Sequence, residues 1–170
     1  LMNIITDLAN TFGVECISFN NSDPIIMDSA LNFKKMELPK EAKDNLPLGI
    51  QNIEYIVVHS TANPNAGAMA HYKWYNNDIS AETVHFVVDD KEVIQCLPFS
   101  IQGHGVGINK YWESGKQKVF NNNSISIEIC ENGDIDDAIA RAEKFIKEVL
   151  IPQFPNAKIV SHQQSNGKYC

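Results

Sequence analysis

The chain has 170 residues, 44% of them apolar and 21% charged, the proportions of a single soluble domain large enough to bury a real core. Its formal charge of −7 and the lack of any basic stripe argue against a nucleic-acid partner. No apolar run approaches the ~20 residues of a membrane span, and no positively charged region marks a signal peptide at the N-terminus.

In chain order, residues 1–50 read as a lead-in packed on the domain that follows. A short amphipathic helix is expected near residues 2–12, then an apolar stretch at 14–19, then polar and charged residues up to Leu46-Pro-Leu-Gly49. From residue 51 to 170 the texture changes to that of a folded domain of alternating strands and helices. Tyr55-Ile-Val-Val-His59 is a β-branched run that suits a strand buried on both faces. Pro64 is placed at a helix start, with the helix over residues 66–76. Residues 83–88 and 93–97, joined by Asp89-Asp-Lys, form a hairpin. Residues 101–115 hold four glycines and read as a loop. Ser124-Ile-Ser-Ile-Glu-Ile-Cys130 alternates, with Ile125, Ile127 and Ile129 on one face and Ser126, Glu128 and Cys130 on the other. The spacing of Ile135, Ala138, Ile139, Ala142, Phe145, Ile146 and Val149 marks an amphipathic helix stopped by Pro152. Residues 157–161 form a last strand that delivers His162 into a polar loop. Strands interleaved with helices give an α/β fold with a central mixed β-sheet flanked by α-helices.

Few residues are suited to chemistry. His162-Gln-Gln-Ser-Asn-Gly-Lys168-Tyr-Cys170 sets an imidazole, an ammonium and a thiol close together in the sequence. Imidazole and thiolate are favoured zinc ligands, and the polar setting of Cys170 beside Lys168 favours thiolate. His59, at the end of a buried strand, is the best third ligand; a three-ligand site leaves the fourth position open, the mark of a catalytic zinc. Read alone, His59 would be a core histidine bonded to backbone. Glu128 is a carboxylate in the middle of a strand, suited to act as general base, or else an exposed residue on the solvated face of an edge strand. Cys16, Cys96 and Cys130 lie in apolar segments and read as buried thiols, without the spacing of a disulfide framework. Asp89-Asp90 suits a turn, and His71 suits surface or packing.

The motifs Val57-Val-His59-Ser-Thr61, Val84 to Pro98, Ser124 to Asn132 and Ser161 to Cys170 stand in an order and spacing that resembles the type-2 N-acetylmuramoyl-L-alanine amidases. That zinc family includes phage endolysins and bacterial autolysins and shares its fold with the peptidoglycan-recognition proteins. The resemblance runs from about Tyr55 to Cys170. It implies one Zn²⁺ held by His59, His162 and Cys170, Glu128 as the catalytic glutamate, and Lys168 steadying the oxyanion. It also implies that His85 and His104 line the substrate groove. The implied reaction is hydrolysis of the amide between N-acetylmuramic acid and L-alanine in bacterial peptidoglycan, at the cell wall, with Glu128 moving the proton.

The sequence departs from the family pattern at three places. Gln102-Gly-His-Gly105 stands where many members have Trp-His-Ala-Gly, Val84 stands where one branch has tyrosine, and Ser126 replaces a glycine. Other readings remain open at this point: a non-catalytic peptidoglycan-binding module, a thiol hydrolase using Cys170, and a structural zinc site with Cys130 as fourth ligand. The start at Leu1 and the stop at Cys170 read as cuts in a longer chain. A downstream cell-wall-binding domain, outside this chain, is compatible with them.

Overall fold

The computed structural model describes residues 29–40, 52–77, 83–107 and 118–167. The helix expected near residues 2–12, Cys16, and the site residues Lys168 and Cys170 lie outside these. Six strands form one sheet in the order β1-β4-β3-β5-β2-β6. They are β1 (Phe33–Lys35), β2 (Tyr55–Ser60), β3 (Phe86–Val88), β4 (Val93–Gln95), β5 (Ser124–Ile129) and β6 (Lys158–Ser161). Only the β3–β4 hairpin is antiparallel; β5, β2 and β6 run parallel, as does β1 beside β4. The sheet is therefore mixed, as the sequence predicts.

The period-2 pattern of β5 divides the sheet into two unlike faces. On one, Ile125, Ile127 and Ile129 join Ile56, Val58, Phe86 and Val88 and pack against α2 (Ile135–Phe145) through Ala138, Ile139, Ala142 and Phe145. Each isoleucine, valine or phenylalanine side chain taken fully out of water there contributes about 2 kcal/mol. Asp134 starts α2 by accepting the Asp136 and Asp137 amides at 3.0 and 3.2 Å.

The opposite face is covered in two places. Ala68 and Tyr75 of α1 (Ala68–Asn77) pack with Val87, Ile94 and Cys130, while Val106 and Val119 cover Val57. Between these apolar patches the face is polar, and the candidate site lies there.

Three boundaries differ from the sequence expectation. Pro64 lies in a turn, not at a helix start, and α1 begins at Ala68. The buried Asp89 carboxylate decides this: Oδ2 accepts the Ala68 amide at 2.9 Å, while Oδ1 accepts those of Lys91 and Glu92 at 2.8 Å. Asp89 thus serves the hairpin turn and also caps the helix. Pro152 does not stop the helix after α2. A π turn at Ile146–Leu150, closed by the Ile151 amide on the Ile146 carbonyl, leads into α3 (Ile151–Gln153), where Pro152 sits in the first turn and no donor is needed of it. The stretch after β6, expected as a loop, is the short helix α4 (His162–Asn166).

Strand β1 is unanticipated. Its partners explain it: Asn32 donates to the Lys91 carbonyl at 3.0 Å, Lys34 pairs with Glu92, and Leu31 and Leu38 are fully buried. Two lysines on a three-residue edge strand also discourage pairing with another chain.

Candidate active site

The parallel pairing of β2 with β5 sets His59 directly beside Glu128. Partners in register share a face, so both side chains emerge on the polar face near the carboxyl ends of the central strands. The His59 ring is 2% exposed and Glu128 18%, with Nδ1 and Oε1 3.8 Å apart. Strand β5 has β3 on one side and β2 on the other, so Glu128 is no edge-strand residue facing solvent. A carboxylate there is costly to bury without a purpose.

Strand β6 pairs with β2 and ends at Ser161, which caps α4: its hydroxyl accepts the Gln164 amide at 3.1 Å, and the Gln164 side chain accepts the Ser161 amide at 2.8 Å. This box fixes the first residue of the helix, His162. Its ring lies 4.1 Å from that of His59, centre to centre. One turn on, the Asn166 amide donates to the Val106 carbonyl and faces His162 Nε2 at 2.9 Å. A predicted ligand is thereby held by an outer partner, as metal-binding imidazoles usually are. The sequence signal for Asn166 is its i+4 spacing from His162, visible only once this stretch is known to be helical. Gly167, in the left-handed region at φ 82°, ends the helix.

The structure thus brings together His59, His162 and Glu128, while Lys168 and Cys170 lie outside the described residues. Among the described residues no group of three or more His, Cys, Asp or Glu side chains is arranged so that it could hold a metal ion. Cys130 does not complete one. It is buried in the apolar cluster under α1, and its thiol is pushed up by burial first and then by Asp89, Glu128 and Asp90. The Cys96 thiol is likewise pushed up by burial, to about 12. Cys130 is packed among Ala68, Val87 and Ile94, the surroundings of a core thiol.

His104 and His85 occupy different environments. His104 is partly exposed, its amide donating to the Thr83 carbonyl at 2.7 Å and its Nδ1 enclosed without a hydrogen-bond partner. His85, expected to line a groove, is 1% exposed. Its Nδ1 accepts the Ser126 amide at 3.2 Å and its Nε2 donates to the Ile101 carbonyl at 3.0 Å. Both nitrogens are used, joining β5 to the loop that follows β4. Burial lowers its pKa from 6.5 to about 4, partly offset by the Ile101 bond.

As pH falls, the unfolded chain protonates at this histidine first, so its contribution to stability is intact above pH 6.5 and is lost between 6.5 and 4. At about 1.4 kcal/mol per pH unit the loss totals about 3 kcal/mol. Urea unfolding at stepped pH should show this acid limb, and His85→Gln should flatten it. An unchanged slope in the variant would contradict a neutral buried His85.

Residues 50–170 match the family model described as N-acetylmuramoyl-L-alanine amidase. The chain belongs to the N-acetylmuramoyl-L-alanine amidase family. It is 36% identical over 134 residues to the N-acetylmuramoyl-L-alanine amidase CwlH of Bacillus subtilis, covering 76% of this chain and 51% of that protein. It is also 36% identical to the amidase XlyA of the same organism, covering 75% and 45%. The chain therefore spans about half the length of these relatives.

Among solved structures, the amidase fold is shared with a mutant endolysin from Bacillus subtilis at TM-score 0.69 and 35% identity, over 82% of this chain and 89% of that one. The catalytic domain of XlyA gives TM-score 0.66 and 31% identity over the same shares. The resemblance read from the motifs is thus upheld, and so is the fold.

Proposed function

We propose that this chain hydrolyses the amide between N-acetylmuramic acid and L-alanine in bacterial peptidoglycan, acting at the cell wall with one Zn²⁺ held by His59, His162 and Cys170. The observation that carries this reading is the convergence of His59, Glu128 and His162 at the ends of three adjacent parallel strands. The donor set fits the metal: two buried imidazoles side by side, one braced by Asn166, and a thiol expected from Cys170. When bound there, Zn²⁺ would supply Lewis-acid polarisation and bring the pKa of water toward ~7.

The chain's own residues do the rest. Glu128, open enough to meet a substrate and close to His59, takes the proton of the attacking water and returns it to the leaving L-alanine amine. Lys168 offsets the negative charge that develops on the amide oxygen. Of the two groove histidines, His104 is the partly exposed one, placed to meet a substrate, and His85 acts by holding the loop.

Mass spectrometry of digested peptidoglycan tests the reading. The expected products carry a free L-alanine amine and an intact lactyl carboxylate. They should disappear with chelator and return with Zn²⁺. Cleavage indifferent to chelator would instead favour the thiol hydrolase, and zinc-dependent binding without products would favour the non-catalytic module. No described helix is long and apolar enough to cross a membrane, which suits an enzyme working on a polymer outside the bilayer.

A further inference from the structure

Residues 101–107 cross the polar face as a strap. It is fastened at His85 Nε2 to Ile101, at the Thr83 carbonyl to His104, at Asn121 to Val106 (2.9 Å), and at Asn166 to the Val106 carbonyl. Between these ties it rests on Ser126, which is 2% exposed and whose Oγ is 3.2 Å from His85 Nδ1.

Gly105 is the point of closest approach. Only Gly107 and Gly167 among the described glycines have positive φ, so Gly105 is not there for backbone freedom. It is there for space: a Cβ at this position would overlap the Ser126 Cβ, lie 2.6 Å from Ser126 Oγ and reach within 3.4 Å of His59 Nε2. Gly103 is under similar constraint, its Cβ position lying 2.9 Å from the Thr83 carbonyl and 3.2 Å from Ser126 Oγ.

We propose that Ser126 and Gly105 are a size-matched pair that sets the height of the strap above His59 and Glu128, making Ser126 a positioning residue of the site. Close packing leaves no slack to absorb an extra methyl group here. The strap carries His104 and abuts His59, so its height governs both how a substrate seats and how the His59 ring is held. The proposal rests on the amidase reading for its effect on substrate, but its packing claim stands apart from that reading.

A reciprocal swap tests it, using the full chain with zinc and purified peptidoglycan. Gly105→Ala alone should lower the thermal midpoint and cut kcat/KM per folded molecule by about tenfold or more, as small misplacements in active sites do. Adding Ser126→Gly makes room for the new methyl group. The double variant should recover most of both losses and restore the zinc Kd measured by chelator competition.

If Gly105→Ala costs the same in the Ser126 and Ser126→Gly backgrounds, the pairing is overturned. If only stability moves while kcat/KM and zinc Kd stay at the parent values, the positioning role is overturned. Should the single variant fail to fold, a folded and active double variant supports the pairing and an unfolded one overturns it. The thermal coupling is read without any substrate, so a parent chain lacking amidase activity would sink the proposed function and leave the pairing intact.

Discussion

Glu128→Ala is expected to abolish peptidoglycan cleavage while leaving about one zinc per chain. A positioned general base contributes roughly 10²–10⁴-fold, and this carboxylate stands in register with His59. The retained zinc follows from geometry: the proposed ligands are His59, His162 and Cys170, and the rings of the first two are set by β2 and by the capped α4. Stability should change little, since replacing a partly buried carboxylate with a methyl group removes a desolvation cost as well as its interactions. Glu128→Gln separates shape from proton transfer, because it keeps the volume and loses the basicity. Product assays by mass spectrometry together with metal analysis give both readouts. Full activity in either variant would refute the assignment of Glu128.

A truncation beginning at residue 50, where the family match starts, is expected to fold poorly. Residues 31–38 lie outside that match yet supply two fully buried leucines, each 1% exposed. Leu31 packs in the cluster with Phe86, Val93 and Phe145, and Leu38 in the cluster with Ile94 and Leu97. Removing a buried leucine side chain costs about 2–5 kcal/mol, comparable to half the stability of a typical domain. The truncation would also bare the β4 edge that β1 now covers, and break the Arg141 bonds that join the Ala30 carbonyl to that of Asp90. Denaturant midpoints of the full and shortened chains measure the difference. Equal midpoints would mean that the lead-in is an appendage. On this account the functional unit extends upstream of residue 50, and the split at 50/51 marks a change of texture in the sequence more than a structural border.

Much of the site was legible because its chemistry and its periodicity coincide. The alternation in β5 assigns Glu128 to the face opposite the isoleucines, and the β-branched run of β2 carries His59 to a strand end. What the sequence could not supply is strand order. Nothing local says that β5 lies between β3 and β2, which is what rules out an exposed Glu128. Strand β1 was illegible for a related reason: Phe33-Lys-Lys has neither length nor alternation, and its conformation comes from pairing with β4 and from Leu31 and Leu38. The helix at His162 was hidden by a polar composition. The Ser161 and Gln164 spacing of a capping box was its one local signal. Likewise Pro152 punctuates a helix only when the preceding turn is α-helical, and a π turn removes that premise. A groove position for His85 is what the family resemblance implies, while its enclosure depends on a loop whose path is set by Ser126 and its glycines.

The parallel register of β5, β2 and β6 has a kinetic consequence. Parallel neighbours cannot be joined by tight turns, so His59, Glu128 and His162 meet only after long segments of chain have closed on one another. Such pairings lose loop entropy before they gain contacts, which slows folding. Among the described residues, no hairpin or single helix assembles even two of the three groups. Bringing the three candidate residues together therefore requires both parallel pairings, β2 with β5 and β2 with β6.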